Sequence, residues 1–205
     1  MSSRDRGSVG GVVLAAGRSA RFGSGNKLLA PVDGTAVVRH VAETACESSL
    51  LEVVAVLGYE SAAVAETLDG LSLSVRHNDD YAAGQSTSVR HGVESAHEAG
   101  WDAALFLLGD MPFLRAETIE QLLDAYRSGP ATVVVPEYGG TRGNPVLFDR
   151  RHFEALASVS GDRGGRDVIE ASERTAFVPV DDPGVHRDID TDADLAAFTD
   201  RRDGL

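Results

Sequence analysis

Three stretches of this chain stay apolar almost residue for residue: Val9-Gly10-Gly11-Val12-Val13-Leu14, Glu52 to Leu57, and Ala103 to Leu108. A strand with one face in water alternates apolar with polar residues, so runs like these belong to strands covered on both sides. Each is followed by apolar residues at helical spacing. After the first come Val37, Val38, Val41 and Ala45; after the second, Ala62 to Leu68; after the third, Ile119, Leu122, Leu123 and Tyr126. Strand and helix alternating in this way give an α/β domain of three layers on a mostly parallel, mixed sheet. Further strands are expected at Leu71 to Val75, Ala131 to Val135, Pro145 to Phe148 and Ala176 to Val180. Further helices are expected over Ser86 to Ala99, around Val168 and Ile169, and from Asp194 to Phe198, the last capped by Thr191 or Asp192. The 205 residues suit one domain. It is expected to span residues 8–200, with frayed ends at 1–7 and 201–205.

Ligands of such sheets collect at the carboxyl ends of the strands. One segment at that position is Leu14-Ala15-Ala16-Gly17-Arg18-Ser19-Ala20-Arg21-Phe22-Gly23, closed by Lys27, the only lysine of the chain. Gly17 and Gly23 let backbone approach a ligand, and N–H groups exposed there can cradle phosphate oxygens. A plain flexible turn would explain the glycines but not the clustered cations Arg18, Arg21 and Lys27. Spacing excludes three familiar alternatives. A P-loop needs Gly-Lys-Ser/Thr, and here Lys27 stands between Asn26 and Leu28. The dinucleotide fingerprint Gly-x-Gly-x-x-Gly does not follow the first strand, which counts against a nicotinamide-dependent oxidoreductase. A Gly-x-Ser-x-Gly elbow is missing as well.

The second segment is Gly109-Asp110-Met111-Pro112. An aspartate leaving a buried strand projects at the carboxyl edge, where a hard oxygen donor suits Mg²⁺ shared with substrate phosphates. An aspartate there also suits the cap of the next helix. Asp188-Ile189-Asp190-Thr191 offers a second carboxylate for the same ion, or a helix cap.

Charge narrows the partners. There are 19 Lys and Arg against 32 Asp and Glu, a net charge of -13. Such a field repels nucleic acid and anionic lipid, so neither a nucleic acid nor a membrane is expected as a partner. Scattered acidic residues also suit a salt-rich, halophile-like cytosol. The single cysteine, Cys46, allows no internal disulfide and reads as a small buried hydrophobe. The polar residues Met1 to Gly7 lack the apolar centre of a signal peptide, and the expected location is cytoplasmic.

Taken together, Leu14 to Gly17 through Lys27, Leu108 to Pro112, Gly143-Asn144-Pro145-Val146-Leu147-Phe148, Gly161-Asp162-Arg163-Gly164-Gly165-Arg166 and Asp188 to Thr191 resemble the MobA-like nucleotidyltransferases. The resemblance runs from about Val9 to Phe198 and is strongest to the molybdenum cofactor cytidylyltransferase branch. It implies a fold of the nucleotide-diphospho-sugar transferase type. It further implies that Leu14, Ala15, Ala16 and Gly17 hold the nucleotide, that Arg18, Arg21 and Lys27 act on its phosphates, and that Asp110 and Asp190 bind the metal, Mg²⁺. Asp190 is preferred to Asp188 because it directly precedes the final helix. Asn78, Gly84 and Ser86 match the segment for base and ribose contacts. Gly143, Asn144, Pro145 and Arg166 fall on the acceptor side. The family often has a tryptophan after Asn78, where this chain has Asp79-Asp80-Tyr81, and Tyr81 can fill that space.

The implied reaction joins CTP to molybdopterin with loss of pyrophosphate. A phosphate nucleophile is already ionised, so no general base is required, which agrees with six histidines outside any motif. The guanylyl-transferring branch tends to carry glycine at the position of Ala16, so this residue favours cytidine over GTP. A non-catalytic accessory role, delivering cofactor to a molybdenum hydroxylase by transient contact, would predict loss of the carboxylates, and both are present.

Overall fold

The computed structural model of the chain describes residues 7–23, 25–161 and 165–199. The expected frayed ends, apart from Gly7, lie outside the described residues, as do Asp162 to Gly164 of the Gly161–Arg166 segment.

The chain opens with β1 (Val9–Ala15), whose odd and even side chains go to opposite faces. Val9 and Val13 join one core, Val12 the other. A small hairpin follows, β2 (Pro31–Val32) and β3 (Thr35–Ala36). Its turn is Asp33-Gly34, both at positive φ (51° and 80°), as a tight two-residue connection requires. Then come α1 (Val37–Cys46), β4 (Val53–Leu57), α2 (Ser61–Thr67), β5 (Ser74–His77), α3 (Gln85–Glu98) and β6 (Ala103–Leu108). The second half holds α4 (Ala116–Ser128), β7 (Val133–Tyr138), β8 (Thr141–Arg142), β9 (Val146–Asp149), α5 (Phe153–Ser158), α6 (Arg166–Ala171), β10 (Thr175–Pro179) and α7 (Asp192–Thr199).

The strand order is β5-β4-β1-β6-β9-β7-β10, with β8 paired to the end of β7. Contacts of β1 with β4 and β6 are parallel, while β9 lies antiparallel between β6 and β7. Side chains of α1, α2 and α4 pack on one face, those of α3, α5 and α6 on the other. The result is the three-layer, mostly parallel sheet that the uninterrupted apolar runs require. After β5 the chain returns through α3 to the far side of β1, so connections leave β1 and β6 in opposite directions. A crevice opens at their carboxyl ends. Because β9 runs the other way, its entry segment, Gly143 to Pro145, reaches the same edge.

Two expected strands are displaced. Leu71 and Leu73 pack onto the core from a loop, and the strand starts only at Ser74. β5 has a single strand partner and is largely exposed, so no continuous apolar run marks it. β7 continues through Pro136, a residue that reads as a stop; pairing with β9 is recorded at Val133 and Val134, and pairing with β10 carries on to Glu137.

Candidate nucleotide and metal site

A cavity of about 480 Å³ opens between the glycine loop and the ends of β1 and β6. Ala16, Gly17, Arg18, Arg21 and Lys27 line it from the loop, and Asp110, Asp188 and Asp190 from the opposite side. The loop has a fixed internal shape. Ser19 sits at φ 52°, its hydroxyl donating to Asn26 Oδ1 (3.1 Å) and accepting from the Lys27 N–H (3.1 Å). Asn26 is buried, and its Oδ1 also accepts from the Leu28 N–H (3.1 Å), capping the short turn that carries Lys27.

The carboxylates arrive from two segments tied together. The Ile189 N–H donates to the Asp110 carbonyl (2.9 Å). Ile189 is buried, while Asp188 and Asp190 on either side of it line the cavity. Farther back, buried Asp182 anchors the same segment to the start of α4, accepting from the Arg115 N–H (3.0 Å), the Thr118 hydroxyl (2.7 Å) and the Gly184 N–H (2.8 Å). The beginning of α7 closes the segment. Thr191 Oγ1 accepts from the Asp194 N–H (3.2 Å), and Asp194 Oδ2 accepts from the Thr191 N–H (2.8 Å). Of the two expected caps, Thr191 is therefore the one used. Asp192 instead accepts from the Gly23 N–H (3.0 Å), fastening the glycine loop to α7.

Lys27 Nζ lies 2.6 Å from Asp110 Oδ2 and 2.7 Å from Asp190 Oδ1, and Arg21 Nη1 lies 2.9 Å from Asp190 Oδ2. Burial opposes the lysine charge, but the Asp110 and Asp190 carboxylates outweigh it and hold the ammonium above its ordinary pKa. Burial likewise pushes Asp190 up, and Lys27 and Arg21 overcome it, leaving the carboxyl below its usual range. Asp188 is shifted upward, first by desolvation and then by the charges of Asp110 and Asp190. One oxygen from each of the three aspartates falls within 4.8 Å of the others, a spacing suited to a shared metal ion. Asp110 Oδ1 is buried with no hydrogen-bond partner among the described residues. A buried carboxylate oxygen without a donor is costly unless a cation takes it, so these residues fit a hard divalent metal. The sequence reading ranked Asp188 below Asp190; the structure brings both to Asp110.

A second cavity, of about 320 Å³, adjoins the first, and Leu14, Gln85 and Leu108 line both. Its floor is apolar, with Val89, Phe106, Val146 and Phe148, and its polar residues include Arg142, Asn144 and Arg166. Gly143 also lines it, and a β-carbon there would stand 2.6 Å from the Val185 carbonyl. That carbonyl accepts from the Asn144 N–H (3.0 Å), so the segment ending in Asp188 and Asp190 also supports this wall. Arg142 and Arg166 lie 3.4 and 3.7 Å from the same Glu170 carboxylate oxygen.

Most of the expected site residues therefore gather at two joined cavities. Four do not line them with their side chains. Asn78 is 1% exposed, and its amide donates to Thr87 Oγ1 (2.8 Å) and Ser88 Oγ (3.0 Å) while its carbonyl oxygen accepts from the Asp80 N–H (3.0 Å). It fastens the 78–80 turn to α3 and does not face the open space. Ser86, Ala15 and Pro145 are buried. The α3 residues that do face the first cavity are Gln85 and Ser88, three apart on one side of the helix. Gly84 gave the segment, but only the exact start of α3 shows which of its side chains turn outward. Tyr81 lines the cavity too, and a β-carbon on Gly58 would come within 2.6 Å of it and 2.8 Å of the Ala16 methyl. Arg142 carried no signal of its own beyond its place beside Gly143.

Comparison with known proteins agrees with this geometry. Residues 11–188 match the MobA-like NTP transferase domain. The chain is 32% identical over 199 residues to nicotine blue oxidoreductase of Paenarthrobacter nicotinovorans, covering 88% of this chain and 96% of the relative. It is 30% identical over 194 residues to the purine catabolism protein PucB of Bacillus subtilis, covering 88% and 91%. A crystal structure of Rv0371c from Mycobacterium tuberculosis in complex with manganese superposes with a TM-score of 0.80 at 26% identity, over 94% of this chain and 98% of the other. The match to the family model covers most of the sequence and includes the glycine loop, Lys27, Asp110 and Asp188, so the chain belongs to the MobA-like NTP transferase family.

Proposed function

We propose that the chain transfers the cytidylyl group of CTP to the phosphate of molybdopterin with release of pyrophosphate, and that residues 8–200 form the catalytic unit. The observation that carries this reading is the junction of two unlike cavities at Leu14, Gln85 and Leu108. One has the charges a metal-bound triphosphate needs; the other has an apolar floor with arginines at its edge, suited to a flat ring system bearing an anionic group. An acceptor phosphate at the junction would attack the α-phosphorus, forming one P–O bond as the bond to the departing pyrophosphate breaks. Already ionised, it needs no proton acceptor from the protein.

The work of the chain is positioning and charge compensation. Asp110, Asp190 and Asp188 would hold the divalent metal, which when bound neutralises triphosphate charge as the α-phosphorus is attacked. Arg18, Arg21 and Lys27, which line the same cavity, would face those phosphates. Gly143, Asn144 and Arg166 would hold the acceptor. Ala16 and Tyr81 both line the first cavity, and a methyl group at Ala16, where the guanylyl-transferring branch tends to have glycine, would favour cytosine over guanine. The name of one relative, an oxidoreductase, supports a second reading in which the crevice serves redox chemistry.

Pyrophosphate release measured with each of the four NTPs, Mg²⁺ or Mn²⁺, and purified molybdopterin tests the proposal. Turnover with CTP alone is expected. GTP-only turnover would move the assignment to the guanylyl branch. No turnover with any NTP, together with electron transfer from NADH or NADPH to nicotine blue, would replace transfer by the redox reading.

A further inference from the structure

We propose that Asp182, which lines neither cavity, is a positioning residue for both: it fixes the turn that braces Asn144 on the acceptor wall and that leads into Asp188 and Asp190 beside Asp110. The inference rests on reading the joined cavities as one site for nucleotidyl transfer. Asp182 is 2% exposed. Its Oδ2 accepts from the Arg115 N–H (3.0 Å) and the Thr118 hydroxyl (2.7 Å), and its Oδ1 accepts from the Gly184 N–H (2.8 Å). Arg115 precedes the first turn of α4, and its own side chain makes no capping bond there. The helix start is held instead by a carboxylate 67 residues farther along the chain. The Arg115 guanidinium reaches back as well, its Nη1 donating to the Asp181 carbonyl (3.0 Å). Gly184 lies so close to the Phe113 carbonyl that a β-carbon would collide with it. The loop from Asp110 to Arg115 and the turn Pro183–His186 therefore pack as one piece.

From that turn, bonds run to both cavities. The Val185 carbonyl accepts from the Asn144 N–H (3.0 Å), and His186 Nε2 donates to the Thr141 carbonyl (3.1 Å), just ahead of Arg142 and Gly143. Three residues beyond His186, the Ile189 N–H donates to the Asp110 carbonyl (2.9 Å). One side of the turn supports the acceptor wall, and the chain leaving it carries the metal carboxylates. Joining a loop to a helix does not need a buried carboxylate, since apolar packing does so without taking a charge out of water. What the carboxylate adds is direction. Two oxygens meeting three donors, each along a defined line, leave the turn a single arrangement. A shift of the turn would carry Asn144 and Ile189 with it. Groups that hold ligand-bearing segments in this way are commonly worth about tenfold to a hundredfold in metal affinity or activity. Asp182 differs from Asp110 and Asn144 in acting on both sides of the shared wall while touching neither ligand space.

Three variants of the full chain test this. Asp182→Asn keeps the shape of the side chain but turns one accepting oxygen into a donor. Thr118→Val removes one of the three bonds and leaves the carboxylate in place. Asp149→Asn is the control: Asp149 is 5% exposed and accepts from Tyr126 and Arg151, but it sits at the amino end of the sheet, away from both cavities. Each is followed by amide hydrogen exchange at Asn144 and Ile189, by Mn²⁺ affinity from electron paramagnetic resonance, and by kcat and acceptor KM from pyrophosphate release with CTP and purified molybdopterin. Asp182→Asn is expected to speed exchange at both amides, to weaken Mn²⁺ binding about tenfold, and to raise the acceptor KM and lower kcat by about tenfold each. Thr118→Val should move every measure the same way by a smaller factor, and it carries the test should Asp182→Asn fail to fold. Asp149→Asn should melt at a lower temperature and change none of them. Parent-like values in a folded Asp182→Asn, a change confined to one cavity, or equal changes in Asp149→Asn would each overturn the proposal. A parent protein that turns over no NTP would defeat the transfer reading instead. Exchange at the two amides and Mn²⁺ affinity would then decide the role of Asp182 alone.

Discussion

Beneath the glycine loop, the first cavity presents Arg18, Arg21 and Lys27 against Asp110, Asp188 and Asp190, while its neighbour across Leu14, Gln85 and Leu108 presents Val89, Phe106, Val146 and Phe148 with arginines at its edge. The same strands build both: Leu14 of β1 and Leu108 of β6 form the shared wall. Under the proposed cytidylyl transfer, the difference lies in what each would stabilise. Charge that develops during phosphoryl transfer needs fixed opposite charge, and each such group is costly to hold in place without a counter-ion. A bound acceptor needs shape and a few polar anchors, and these act equally before and during the reaction. Substitutions on the two sides should therefore differ in kind as well as in size.

The largest effect is expected at Asp110. Asp110→Ala should lower kcat about 10²- to 10³-fold while the KM for acceptor changes little, since the lost interaction acts on the reacting phosphate. Steady-state pyrophosphate release with the purified, folded variant reads this, and near-parental kcat would break the division between the cavities. A smaller effect is expected across the wall. Asn144→Ala should raise the acceptor KM about tenfold with kcat and nucleotide affinity nearly retained, the loss of about one hydrogen bond to a bound ligand. A kcat loss as deep as that of Asp110→Ala would show that the two cavities act as one.

The smallest effect lies away from both, in the buried group around Asp149. Burial lowers the pKa of His152 below its ordinary 6.5, and its Nε2 lies 2.9 Å from Thr132 Oγ1. The unfolded chain therefore takes up this proton first, and stability should fall as pH drops below that value. Burial raises Asp149, but hydrogen bonds from Arg151 and from the Tyr126 hydroxyl outweigh it and hold the carboxyl below 3.8. Its contribution is present above that pH and is lost as pH falls through the lower, folded value. Melting temperatures taken from pH 8 to pH 3 should decline in these two stages. His152→Gln should flatten the first, and a variant that keeps the full first decline would place its origin elsewhere.

The charged cavity was far easier to read in the sequence than the apolar one. Its residues follow strands with covered faces, so Gly17, Lys27 and Asp110 could be placed at the carboxyl edge before any coordinates. The floor of the second cavity is drawn from β6, β7, β9, α3, α5 and α6, and a core valine looks the same in sequence whether it meets another side chain or an open space. Asn78 shows the opposite difficulty. A polar residue after a strand invites a ligand-binding role, yet its three side-chain hydrogen bonds are all spent on the backbone and hydroxyls around it. Asp188 was visible but undervalued, because only the burial of Ile189 shows that both of its neighbours face the same space.

The one tryptophan of the chain, Trp101, is fully buried at the amino end of the sheet, where its indole N–H donates to Glu52 Oε2 (3.2 Å) and its ring lies where a β-carbon on Gly10 would have to go. Both cavities open at the opposite edge. Intrinsic fluorescence from this indole will therefore follow loss of the packed sheet and stay silent while nucleotide or metal enters. A change in its emission during a ligand titration would signal that the first strand has shifted against its neighbours, and Tyr81, at the mouth of the charged cavity, is the better position for an optical reporter of binding.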